Sequence, residues 1–145
     1  MPRILIIDDD NFVCEATGIL LRANGYDVAT ASSGKAGIAL IRAEPVDLAI
    51  VDLFMPDMDG IKVVETIREI NPDLPLILAS GFMLGQSSSP QMPGFEAMAS
   101  EAGAVRTLCK PLRPKEVIEA VTEALANRDA AAAPAADADK VVRIG

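Results

Sequence analysis

Ile4-Leu5-Ile6-Ile7-Asp8-Asp9-Asp10 decides the fold. Its four consecutive apolar residues are too few for an amphipathic helix. They also lack the alternation of a strand with one wet face. They read as a strand buried on both sides, the condition of a parallel sheet. The abrupt switch to three aspartates marks the strand's carboxyl end. The same pattern returns at Leu48-Ala49-Ile50-Val51 before Asp52 and at Leu76-Ile77-Leu78-Ala79 before Ser80. Two weaker runs read as the sheet edges. Residues 26–31 alternate, with Tyr26, Val28 and Thr30 against Asp27, Ala29 and Ala31; residues 105–109 are mixed, carry Arg106, and end before Lys110.

Helical patterns fill the intervals. Phe12, Val13, Ala16, Ile19 and Leu20 recur at the 3.6-residue period and stop at Asn24-Gly25, a helix-ending pair. Ser33 is placed to cap a helix over 34–43, and Pro45 closes it. Val63, Val64, Ile67 and Ile70 form a third stripe, stopped by Asn71-Pro72. Val117, Ile118, Val121, Ala124 and Leu125 form the last, with Pro114 in its first turn. The alternation of strand and helix specifies an α/β fold, a single doubly wound five-stranded parallel sheet, with right-handed crossovers placing helices on both faces. The connection over 81–94 is rich in Gly, Ser and Pro, and a short helical stretch is expected at about 95–102. One domain over 1–128 is expected, followed by a flexible Ala/Pro/Asp-rich tail over 129–145.

Composition excludes several functions. The 145 residues contain no histidine and no tryptophan. The chain therefore supplies no His general base, no His-based triad and no His-ligated zinc site. Thirteen basic against 21 acidic side chains give a net charge of −8, which disfavours a nucleic-acid or anionic-membrane surface. A metal site built here takes oxygen ligands and so a hard cation. Cys14 and Cys109 lack a C-x-x-C spacing and read as buried small apolar residues. No apolar run approaches the ~18 residues of a membrane span, and a cytoplasmic location is expected.

The polar residues that follow the strands carry the chemistry. In an open α/β sheet, ligands bind beyond the carboxyl ends of the strands, so Asp8, Asp9, Asp52, Ser80 and Lys110 should converge. Clustered carboxylates repel and favour a divalent cation. Mg²⁺ is commonly held by one or two carboxylates together with phosphate oxygens. A carboxylate nucleophile, a cation site, a hydroxyl and an ammonium are the parts of phosphoryl transfer, with aspartate able to accept the group as an acyl phosphate. Taken singly these residues have plainer roles, and Asp10 reads as the cap of the first helix.

Ile4 to Asp10, the block Val51-Asp52-Leu53-Phe54-Met55-Pro56-Asp57-Met58-Asp59-Gly60, Ser80-Gly81 and Lys110-Pro111 together resemble the response-regulator receiver domain of two-component signalling. The resemblance covers nearly all of residues 1–125. It implies a flavodoxin-like (βα)5 fold with strand order 2-1-3-4-5. It implies that Asp52 is the phosphoacceptor and that Asp9 ligates Mg²⁺ directly, with Mn²⁺ able to replace it. Asp8 would act through water, and the backbone carbonyl of Phe54 would complete the protein ligands. Ser80 and Lys110 would bond phosphoryl oxygens, and Lys110-Pro111 would be a cis peptide. The implied donor is a histidine kinase or a histidine-containing phosphotransfer protein. The implied output is binding to a protein partner, with no direct nucleic-acid or membrane contact. Such a domain assists its own phosphorylation and dephosphorylation without being an enzyme in the turnover sense. Two features depart from the family. The switch position three residues before the lysine, usually aromatic, is Thr107, and the connection after Ser80 is long, with apolar Phe82, Met83, Leu84, Met92, Phe95 and Met98. Three alternatives stand beside this reading: an unphosphorylated receiver-like interaction module, a fragment of a longer regulator, and a small phosphatase using Asp10 or Asp57 as general acid.

Overall fold

In a computed structural model that describes residues 1–55, 58–80, 104–109 and 112–132, the three continuous apolar runs form the centre of one sheet. The strands are β1 (Arg3–Ile7), β2 (Asp27–Ala31), β3 (Leu48–Asp52), the short β4 (Phe54–Met55) and β5 (Met58–Asp59), β6 (Leu76–Ser80) and β7 (Ala104–Cys109). The helices are α1 (Asn11–Ala23), α2 (Gly34–Ala43), α3 (Gly60–Ile70) and α4 (Pro114–Ala132). The five long strands are parallel and lie in the order β2-β1-β3-β6-β7, which is 2-1-3-4-5 counted along the chain. The expected doubly wound fold is therefore present. β4 and β5 form a separate two-residue antiparallel hairpin.

Successive side chains of each central strand enter opposite cores, which is why the runs are continuous rather than alternating. Ile4, Ile6, Ile50 and Ile77 pack with Cys14 and Leu21 of α1 and with Val117, Val121 and Ala124 of α4. Leu5, Ile7, Ala49, Val51, Leu76 and Leu78 pack with Val63, Val64 and Ile67 of α3 on the other face, with Leu40 and Ile41 of α2 at its margin. Ser33 caps α2 by accepting from the Ala36 N–H at 3.1 Å. At the end of α1, Gly25 adopts φ +93°, its N–H reaches the Arg22 carbonyl, and the Tyr26 N–H reaches that of Leu21. That paired closure needs the left-handed residue that Asn24-Gly25 signals.

Four local expectations are corrected or extended. α1 turns a different face inward: Cys14, Thr17, Gly18 and Leu21 are buried, whereas Phe12 and Ile19 are 75% and 62% exposed. The inward positions carry small side chains, and a Cβ on Gly18 would meet Val28 Cγ1 at an ordinary contact distance of 3.5 Å. The larger apolar side chains of the predicted stripe are left largely outside. β2 begins at Asp27 and buries Val28 on one face and Ala31 on the other, with Thr30 exposed. An edge strand covered in part on both sides shows no polar-out pattern. β7 starts one residue earlier than read, at Ala104. Its pairing with β6 slips by one residue between Leu76↔Ala104 and Ile77↔Arg106. α4 continues to Ala132, into the first residues of the Ala-rich tail, through alanines of high helix propensity. The connection over 81–94, the expected helix over 95–102 and residues 133–145 lie outside the described residues.

A candidate aspartate and cation site

The site is built by strands ending in register. Ile7 of β1 pairs with Val51 of β3, so the next residues along the chain, Asp8 just past β1 and Asp52 at the end of β3, stand at the same level. The Asp8 N–H continues the ladder to the Ala31 carbonyl at 3.0 Å, and the Leu53 N–H continues it to that of Ala79 at 3.0 Å. Both aspartates are thereby fixed by backbone bonds of the sheet rather than by a loose loop. Asp8 and Asp52 are each 3% exposed, and Asp9 is exposed.

One oxygen from each of Asp8, Asp9 and Asp52 lies within 4.8 Å of the other two. A pair of carboxylates about 4 Å apart repels by roughly 4 kcal/mol at an effective dielectric of 20. Burial of two of the three keeps water from screening that repulsion. The donor set fits a hard cation. In an octahedron with bonds of about 2.0–2.1 Å, ligand oxygens stand about 3 to 4 Å apart, so a small contraction of the three carboxylates suffices.

Local bonds hold the acidic turn. Asp8 Oδ1 accepts from the Asp10 N–H at 2.9 Å, which orients one side of its carboxylate. Asp10 Oδ1 accepts from the N–H groups of Phe12 (3.0 Å) and Val13 (3.4 Å), making it the cap of α1 as the sequence indicates. Cys14 donates its thiol to the Asp8 carbonyl at 3.3 Å. The sequence shows Cys14 only as a small buried residue; its bond to the acidic turn has no signature there. Gly60 is a second positioning element. A Cβ at Gly60 would fall 2.5 Å from Leu53 Cα and 2.7 Å from Leu53 C. Only glycine lets the start of α3 close against the segment that follows Asp52.

The remaining expected site residues divide. Phe54 stands in β4 opposite Asp59, two residues beyond Asp52, which puts its backbone next to the acidic cluster in sequence. Ser80 ends β6 opposite Cys109, one position beyond the Asp52↔Ala79 pair, with its side chain outside the described residues. Thr107 pairs with Leu78 and is half-buried. Lys110, Pro111, Pro56 and Asp57 lie outside the described residues. No helix among the described residues is long and apolar enough to cross a membrane.

Comparison with known proteins agrees with this architecture. The family model described as "Response regulator receiver domain" matches residues 4–122. The transcriptional regulatory protein ZraR of Salmonella typhimurium is 34% identical over 144 residues, 98% of this chain and 31% of that protein. The transcriptional regulatory protein GlrR of Escherichia coli is 32% identical over 135 residues, 93% of this chain and 28% of that protein. The chain thus spans about a third of the length of these relatives. Among solved structures, a CheY-like receiver domain protein from Methanospirillum hungatei superposes with a TM-score of 0.78 at 29% identity, over 89% of this chain and 97% of that one. A response regulator from Chloroflexus aurantiacus superposes at 0.73 and 31% identity, over 87% and 99%.

Proposed function

The chain belongs to the response regulator receiver domain family, and on that premise we propose that it accepts a phosphoryl group from a partner's phosphohistidine onto Asp52 in a Mg²⁺-dependent reaction. The observation that carries this reading is the convergence of Asp8, Asp9 and Asp52 at the ends of adjacent strands. In the step proposed, an Asp52 carboxylate oxygen forms a bond to phosphorus as the phosphorus–nitrogen bond of the donor breaks. The electron pair of that bond stays on the imidazole, which then takes a proton from solvent. The product is an acyl phosphate. A bound Mg²⁺ would neutralise charge on the three carboxylates and the incoming phosphoryl oxygens. Asp8, Asp9, Asp52 and the Phe54 carbonyl are the groups proposed to hold it.

This chain's own residues do the positioning. The pairing of β1 with β3 brings Asp8 beside Asp52, the two ladder bonds tie the chain at these residues to the flanking strands, and the Asp10 N–H leaves one Asp8 oxygen oriented. Ser80 and Lys110 are proposed to bond the remaining phosphoryl oxygens. These 145 residues contain no histidine, and the donor imidazole is proposed to be that of a histidine kinase or a histidine-containing phosphotransfer protein. The exposed Phe12 stands two residues beyond Asp10, and Ile19 lies two turns further along α1. These exposed apolar side chains are proposed to take part in docking the donor. The output proposed is a phosphorylation-biased change in a binding surface, within a receiver unit over 1–128 located in the cytoplasm.

Phosphotransfer profiling against the histidine kinases and phosphotransfer proteins of the source organism tests the proposal. Labelled phosphate is expected on the wild-type protein and absent from Asp52→Asn. Labelling of Asp52→Asn at the wild-type rate would overturn it. Failure to bind beryllofluoride at millimolar magnesium would favour an unphosphorylated interaction module instead.

A further inference from the structure

The end of the sheet remote from the aspartates carries a second charged cluster. Asp47, just before β3, receives the Arg3 N–H on Oδ2 at 2.7 Å and Arg128 Nη1 on Oδ1 at 2.8 Å. Arg3 in turn meets Glu44 at 2.7 Å and Asp27 at 3.5 Å. Arg128 lies 81 positions from Asp47 in the chain, near the end of α4. The helix is longer than the sheet it covers. Nineteen helical residues span about 28 Å, and a five-residue strand spans about 17 Å.

The two parts of α4 are held differently. Over 114–125 the helix buries Val117, Ala120, Val121, Ala124 and Leu125. Its middle also meets Arg106 through Glu123 at 3.1 Å and Tyr26 through Thr122 at 3.4 Å. Past Leu125, none of the described side chains is buried: Ala126 and Asn127 are exposed and Arg128 is half-exposed on Asp47. We infer that the Arg128–Asp47 pair is a releasable latch, which docks the last turns of α4 on the base of the sheet. When it opens, residues 126–132 fray while 114–125 stay packed. This inference does not depend on phosphotransfer.

Amide hydrogen exchange on the full chain tests it, using the wild type, Asp47→Asn and Arg128→Gln at ~50 mM and ~500 mM salt. The Asp47→Asn side chain keeps an oxygen for the Arg3 N–H and removes the charge that Arg128 meets. Exchange over 126–132 is expected to quicken about two- to five-fold in both variants, the range for a partly exposed ion pair. The 114–125 amides are expected to stay far more protected than 126–132 in every protein and to quicken by no more than the same small factor, and high salt should move the wild type toward the variants. Unchanged exchange over 126–132 in both variants would overturn the latch. So would protection over 126–132 as strong as that over 114–125 in the wild type, which would mean that the last turns open only with the whole fold. The wild-type salt comparison keeps the test decisive if one variant folds poorly.

Discussion

The two ends of the sheet each hold a cluster of three carboxylates, in opposite arrangements. At the carboxyl end, Asp8, Asp9 and Asp52 bring oxygens within 4.8 Å of one another. At the amino end, Asp27, Glu44 and Asp47 are each met by an arginine, two by Arg3 and one by Arg128. β3 joins the two clusters, since Asp47 precedes it and Asp52 ends it, with every residue between them buried. Stability alone would favour mixed charges at both ends. The like-charge cluster is therefore the end that reads as built for a ligand, and the mixed cluster is the end that holds the fold together. Substitutions of the same chemical kind should behave oppositely at the two ends.

The largest contrast concerns phosphotransfer. Asp52→Asn removes the nucleophile, and transfer from a cognate donor is expected to fall by about a thousandfold or more. Arg128→Gln at the other end is expected to change it by less than about twofold. A radiolabel transfer assay reads both, and a large loss in Arg128→Gln would break the separation of roles. The next contrast is in sign. Mg²⁺ at about a hundred times its dissociation constant should stabilise the wild type by about 2.7 kcal/mol. Asp8→Asn should abolish that response yet raise the metal-free melting temperature by a few degrees, equivalent to about 1 kcal/mol, because one of three crowded charges is gone. Asp47→Asn should lower the melting temperature with or without Mg²⁺. Thermal melts in chelator and in Mg²⁺ check all three, and a metal-free Asp8→Asn that melts below the wild type would contradict the repulsion argument.

How much of this was legible in the sequence follows from what carries a pattern. The strands, their parallel pairing and the acidic end were readable because an unbroken apolar run followed by a carboxylate is a local signal, seen at Ile7-Asp8 and Val51-Asp52 alike. The inward face of α1 was readable only at Cys14, a small buried residue. Thr17 and Gly18 are buried without an apolar side chain to signal it, and counting apolar residues selected Phe12 and Ile19 instead. The hairpin of β4 and β5 has two residues per strand, too few for any period. The ionic base joins residues 44 and 81 positions apart and leaves no local trace. Gly60 lies between these cases: its place before a helix was evident, but its contact with the Leu53 backbone was not. Gly60→Ala tests that contact. The added methyl must displace the segment after Asp52, and a loss of about 1–3 kcal/mol is expected together with weaker Mg²⁺ binding. Unfolding curves and Mg²⁺ titration check it; an unchanged affinity would mean that the 53–60 segment does not shape the cation site.

The smallest expected effect sharpens the comparison from the basic side. Burial by itself would raise the Asp47 carboxyl above its ordinary value of 3.8, but the Arg3 N–H and the Arg128 guanidinium reverse that and hold it lower. A carboxylate whose folded value is depressed adds stability that is complete above the unfolded value and is lost as pH falls through the folded one. Asp47 therefore contributes nothing to any pH dependence between neutrality and about pH 4, and its contribution disappears below that. The side chains of Asp47 and Arg128 are about a third exposed, so solvent screening limits the effect to under about 1 kcal/mol. The wild type should exceed Asp47→Asn by a constant margin from about pH 7 to pH 4 and converge with it in stronger acid. Urea unfolding of the two proteins across that range measures the margin. A gap that closed near pH 6, or stayed open in strong acid, would mean that the Asp47 charge is not what holds the base of the sheet.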